Sequence, residues 1–300
     1  MNDSVTTRLR LDFAYDGTNF AGWSKQPHLR TVQGELESAM TTLFRRFGAT
    51  PQITVAGRTD AGVHALGQVA HVDLTQEQIS SLEPRRGKGT PKRDGPAALA
   101  RRLNGIAGLS SDVWVSRSSI APEGFDARFS ATWRRYEYRI ADSTAPRNPL
   151  LRNHTVWFPA ILDDVAMNGA AYALTGLHDW AAYCRPRERA TTIRTLQSFE
   201  WHRGEGGILI AAVQADAFCH SMVRALVGAT VAVGQGKLTI DDVVRLREKA
   251  MRTSEFKVMP AKGLALVEVG YPDDAELGAR AELTRQRRDA SHLTSAQQID

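Results

Sequence analysis

The stretch AGRTDAGVHALGQV, from Ala56 to Val69, sets one carboxylate, Asp60, and one guanidinium, Arg58, among Gly57, Gly62 and Gly67. His64 follows four residues after the acid. Gly57 and Gly62 have the spacing of a phosphate-binding loop, but that chemistry needs Lys and then Ser or Thr to neutralise phosphate and hold magnesium. Val63 and His64 stand there instead. Asp60, His64, His71 and Asp73 are conceivable metal ligands, yet no pair has the spacing of a zinc-binding helix. Plain structural histidines are the alternative. A Ser-His-Asp hydrolase needs a nucleophile elbow such as G-x-S-x-G, and the chain has none. A glycosidase needs two carboxylates across the scissile bond, for which Asp60 and Asp73 are the nearby pair. What remains is a lone aspartate beside an arginine. An arginine within a few ångströms lowers a carboxylate pKa by roughly 1–3 units and would keep Asp60 ionised as a nucleophile. The glycines permit close backbone approach to a ligand. An Asx-turn with a surface salt bridge accounts for the same residues, and this stretch alone leaves the two open.

The elements that must hold the stretch are legible from periodicity. Arg8 to Tyr15 alternates apolar and polar residues, as a strand does. Thr31 caps a predicted helix running to Phe47, with Leu36, Met40, Leu43, Phe44 and Phe47 at helical spacing. Strands follow at 51–56 and 67–74, then a helix at 97–107 with Leu99, Leu103 and Ile106 inward, then a strand at 112–118. The second half repeats the order: strand 133–140, helix 163–174, strands 192–203 and 206–218 around a glycine-rich turn, helix 221–234 and strand 263–271. An extra helix lies at 240–251. Two β-α-β-β-α-β runs predict an α+β fold of two similar ferredoxin-like halves, with mostly antiparallel sheets flanking a basic cleft. The halves are expected at 1–125 and 126–272, followed by a polar tail, 273–300, partly disordered by composition.

Composition narrows the classes further. The chain has 300 residues, 42% hydrophobic, with a net charge of +5. No stretch approaches the ~20 apolar residues of a membrane span, and the N-terminus lacks the apolar core of a signal peptide. A cytoplasmic protein without membrane partners is expected. The two cysteines, Cys184 and Cys219, form no C-x-x-C pair. A zinc knuckle is therefore not expected, a disulfide framework is excluded, and Cys219 reads as a small core residue. Pro84 to Pro96 holds five Lys or Arg against one Asp, a basic loop suited to a polyanion or simply solvated.

Four blocks in order then carry a resemblance: AGRTDAGVHALGQV, FDARFSATWRRYEYRI (Phe125 to Ile140), FCHSMVRALVG (Phe218 to Gly228) and PAKGLALVEV (Pro260 to Val269). Together they resemble the tRNA pseudouridine synthase A (TruA) family, over roughly Leu9 to Pro272. The resemblance implies an isomerase that converts uridines at positions 38, 39 and 40 of the tRNA anticodon arm to pseudouridine, working as a homodimer without a cofactor or metal. By resemblance, Asp60 matches the catalytic aspartate and nucleophile, and Arg58 the arginine that pairs with it. Tyr136 matches the aromatic that packs on the target base and takes the C5 proton. Arg128 matches a basic position that binds substrate, and Leu264 and Leu266 the apolar wall of the pocket. Arg224 and His64 are further expected substrate contacts. Cys219, His220 and Ser221 depart from the pattern, since relatives often carry a basic residue or Asn there. A base inside a paired stem must be flipped to react, and base–aromatic stacking is worth ~1–3 kcal/mol. That suits Tyr136, although a cross-strand aromatic role, with Tyr138 on the same face of the strand, is an alternative by composition alone. Arg8, Arg101, Arg102 and Arg134 complete the candidate phosphate contacts.

Overall fold

The computed structural model describes residues 6–83, 95–186 and 191–285. Residues 84–94 of the basic loop and the tail beyond 285 lie outside the described residues. The chain divides into two compact units. The first ends at Ala131 and takes back Tyr271–Arg285, and the second runs Thr132–Gly270.

In the first unit, β1 (Thr6–Tyr15) buries Leu9, Leu11, Phe13 and Tyr15, every second residue, as a strand with one covered face must. Helix α1 (Val32–Phe44) buries Val32, Leu36, Met40 and Phe44 at intervals of four. Burial of each such side chain stabilises by about 1.5–3 kcal/mol. Thr31 caps α1 by accepting from Gly34 N at 3.2 Å. The helix stops at Phe44, three residues short of expectation, because residues 45–47 tighten into a 3-10 turn. β2 (Ile53–Val55) and β3 (His64–Thr75) follow, then α2 (Gln76–Leu82), α3 (Gly95–Ala107) and β4 (Val113–Ile120). Helix α2 was not anticipated, being short; Thr75 and Gln78 close it with a reciprocal capping box. Ile106, expected inward on α3, is exposed, because it lies in the last turn beyond the buried Leu99 and Leu103. The strands order β4-β1-β3-β2, all pairs antiparallel.

Within the second unit, β5 (Trp133–Ala141), β6 (Val156–Trp157), α4 (Asp164–Ala173), β7 (Gly176–Asp179), β8 (Ile193–Arg203), β9 (Leu209–Ala215), α5 (Met222–Gly234), α6 (Ile240–Glu248) and β10 (Leu264–Gly270) occur in turn. The order is β10-β5-β9-β8-β7, all antiparallel, with β6 parallel to β5. Leaving aside β6 and β7, both units have the fourth strand beside the first, then the third, then the second. The repeated element order read from the sequence is thus a repeated ferredoxin-like topology. Asp142, buried just after β5, accepts from Arg203 Nη2 at 2.9 Å, Thr144 Oγ1 at 2.6 Å and Leu162 N at 3.2 Å.

Two sequence expectations meet a different structure. Composition marks the residues after 272 as a polar tail, yet α7 (Leu277–Arg285) forms there and belongs to the first unit. Leu277 and Ala281, one turn apart, are buried, and Ser130 Oγ donates to Leu277 O at 3.0 Å. The cysteines correct the reading of an unpaired Cys219 with no disulfide. Cys184 and Cys219 are paired as a disulfide, with Cα atoms 5.8 Å apart. A separation of 35 residues tells nothing about proximity until β8 and β9 fold the chain back. Among the described residues, no helix is long and apolar enough to cross a membrane.

Candidate active site

The loop 56–63 leaves β2 and returns into β3, and Ala56 N still bonds Val69 O at 2.8 Å. Beyond that bond the chain turns out of the ladder. Arg58 is exposed, Thr59 is buried and Asp60 is half-buried. Neighbouring backbone clamps this conformation: Trp23 N donates to Thr59 O at 3.0 Å and Gly62 N to Phe20 O at 3.2 Å. Val63 N closes a turn onto Asp60 O at 3.2 Å, and Gly62 has φ +76°, a conformation natural to glycine. Gly17 lies so near that a Cβ there would sit 2.0 Å from Val63 O. Its N–H donates to the buried His64 Nδ1 at 3.0 Å, and Asp16 Oδ1 lies 3.1 Å from the same nitrogen. His64 therefore faces the segment 16–17.

Tyr136 belongs to the second unit, on the face of β5 that also buries Arg134, Tyr138 and Ile140. Its cross-strand partners are Leu266 on β10 and Val213 on β9. Phe218 meets its ring edge-to-face, centroids 5.1 Å apart at 87°, a geometry worth about 0.5–1.5 kcal/mol beyond area burial. Leu264 stands opposite Tyr138, so both expected wall residues are buried beside the two tyrosines. Tyr138 Oη donates to Pro260 O at 2.7 Å, and burial pushes its phenol up. Arg224 on α5 is tied to Met259 twice: its Nε donates to Met259 O at 2.6 Å, and its carbonyl accepts from Met259 N at 3.1 Å.

The remaining candidates are placed differently. Arg128 is exposed, its guanidinium 5.0 Å from the Phe129 ring centre. Arg134 donates to Asp216 O at 2.8 Å. Arg8 grips Asp73 with two bonds of 2.7 and 2.8 Å and holds its carboxyl below the usual range. His71 Nδ1 accepts from Ala127 N at 3.0 Å, and burial, with Arg8 nearby, pushes its imidazole down. His71 and Asp73 thus have partners of their own within the fold. β3 separates His64 from Asp73 by about 30 Å at ~3.3 Å per residue. Asp73 therefore sits at the far end of β3 from the strand's junction with the loop that carries Asp60.

The sequence model of the tRNA pseudouridine synthase family matches residues 13–100 and 170–272. This chain belongs to that family. It is 62% identical over 285 residues to tRNA pseudouridine synthase A of Leifsonia xyli, covering 95% of this chain and 98% of the relative. It is 49% identical to the Streptomyces avermitilis protein of that name, over 96% of this chain and 97% of the relative. The Mycobacterium leprae relative is 47% identical over 96% and 97%. Family motifs drew attention to Arg58, Asp60 and Tyr136, but not to Phe218, Gly17 or Thr59. Phe218 opens the FCHSMVRALVG block, yet only the turn after β9 brings it to Tyr136. Gly17 had no signal beyond being a glycine after a strand.

Proposed function

We propose that this chain isomerises uridines at positions 38, 39 and 40 of the tRNA anticodon arm to pseudouridine, with Asp60 as the nucleophile. The observation that carries the reading is the backbone-clamped loop of a pseudouridine synthase family member, which carries one half-buried carboxylate two residues after an exposed arginine. In the reaction the N1–C1′ bond breaks, the base rotates and C5 joins C1′. C5 loses a proton and N1 gains one, so substrate and product have the same atoms and electrons. A single carboxylate suffices, because both bonds are exchanged at one sugar carbon.

Asp60 attacks as the anion, and Arg58 supports its charge and holds the flipped nucleotide. Tyr136, its ring plane fixed by Phe218, stacks on the base and takes the C5 proton, with Leu264 and Leu266 as apolar wall. Arg224 and Arg128 contribute positive charge toward phosphates, which position RNA without reading its sequence. His64, buried against Gly17, supports the loop. Recognition of neighbouring uridines by one enzyme points to readout of tRNA shape. The working form in this reading is a cytoplasmic homodimer that needs no cofactor.

Incubation with an unmodified tRNA transcript, followed by carbodiimide treatment and reverse transcription, tests the assignment. Stops that report pseudouridine at 38, 39 or 40 are expected. Stops only elsewhere would overturn the positions, and release of free uracil would replace isomerisation with base excision.

A further inference from the structure

Beneath the loop lies a group of buried polar side chains that the mechanism does not use. Thr59 Oγ1 is 2.7 Å from Tyr15 Oη. Gln68 Nε2 donates to Tyr15 Oη at 3.3 Å and to Gly57 O at 2.9 Å, while Gln68 Oε1 accepts from Val69 N at 3.2 Å. Tyr15, Thr59 and Gln68 are 4%, 8% and 0% exposed. An amide in such a place is costly unless its bonds are made, and here both its ends are engaged. Tyr15 Oη accepts from Gln68 and keeps its own proton available, and either hydroxyl of the Tyr15–Thr59 pair can donate to the other. Burial pushes that phenol up to about 12, so the donor persists across the working range. The network grips residues 57 and 59, on either side of Arg58, the second of them being the residue before Asp60. Trp23 N holds the Thr59 carbonyl as well.

We propose that Tyr15 and Gln68 are positioning residues for Asp60, acting through the Thr59 hydroxyl and the Gly57 carbonyl. The proposal rests on the reading of Asp60 as the nucleophile. Misplacement of a reacting group by 1 Å can cost on the order of 100-fold in rate. Removing the Tyr15 hydroxyl leaves the ring in the core but frees Thr59 to rotate, so the loss falls on kcat and not on tRNA binding.

The test compares Tyr15→Phe, Thr59→Val and Thr59→Ser in the full chain, by single-turnover kinetics, tRNA binding and thermal denaturation. Tyr15→Phe and Thr59→Val are expected to lower kcat by roughly 10- to 100-fold, with KM and tRNA Kd within about twofold. Thr59→Ser, which keeps the hydroxyl, recovers most of what Thr59→Val loses. The double variant Tyr15→Phe/Thr59→Val falls no further than Tyr15→Phe alone, because both changes break the Tyr15–Thr59 link. Unchanged kcat in Tyr15→Phe and Thr59→Val, equal loss in Thr59→Ser and Thr59→Val, or additive losses in the double variant would overturn the proposal. If Tyr15→Phe does not fold, the Thr59 pair decides alone. Should Asp60→Asn retain turnover, the nucleophile reading fails. Should Asp60→Asn be inactive and these variants unaffected, only the positioning role fails.

Discussion

Two side chains carry testable chemistry or stability on their own. Tyr136→Phe keeps the ring and its contact with Phe218 but removes the phenol proposed to take the C5 proton. It should bind tRNA within about twofold of wild type and stall after the glycosidic bond breaks, with loss concentrated in kcat. Rapid-quench analysis of the bound nucleotide checks this, and unchanged kinetics would remove Tyr136 from proton transfer. Asp142 makes a different prediction. Burial alone would raise its carboxyl, but Arg203, Thr144 and backbone donors outweigh this and hold it at about 2, below the ordinary 3.8. A carboxylate depressed in the folded state stabilises above its unfolded pKa, and that contribution is lost as pH falls through the folded value. Urea melts should therefore show an Asp142-dependent loss of stability between about pH 4 and 2. Asp142→Asn should be less stable at pH 7 by about 1.5–3 kcal/mol. At this scale the sequence spoke unevenly. Asp60 and Tyr136 stood in motifs, whereas Asp142 and Thr59 owe their importance to partners 61 and 44 residues away.

Among the elements, the glycine segment after β1 braces the loop. Gly17→Ala would place a methyl carbon 2.0 Å from Val63 O, so backbone must shift at Asp60's own turn. A loss of about 1–3 kcal/mol and a parallel loss of turnover are expected, read by denaturation and tritium release. Unchanged stability would mean the segment yields without strain. Strands and long helices were readable because alternation and four-residue intervals report directly on one buried face. The ends were less so. Residues 45–47 continue the apolar spacing of α1 but tighten into a 3-10 turn. The two-residue β6 and four-residue β7 are too short to show a period. Helix α7 lies in polar sequence and owes its place to Leu277 and Ala281.

For the whole molecule, the repeated order of elements was legible because each unit spells it separately, and the shared strand order followed. Pairing of Cys184 with Cys219 was not, since it depends on long-range folding alone. With a net charge of +5, tRNA binding through phosphates should weaken steeply with salt. For six phosphate contacts, raising salt from 50 to 200 mM would lower affinity by roughly 10³-fold. Filter binding across that range checks it, and a flat response would argue against electrostatic docking. Sedimentation equilibrium should return twice the chain mass if the homodimer is correct.

One carboxylate, Asp60, is proposed to perform the bond exchange. Release of tritium from tRNA labelled at uridine C5 measures it most directly, with wild type and Asp60→Asn compared alongside tRNA binding. No detectable release is expected from Asp60→Asn, with tRNA affinity within about tenfold of wild type. Release near the wild-type rate from Asp60→Asn would contradict it.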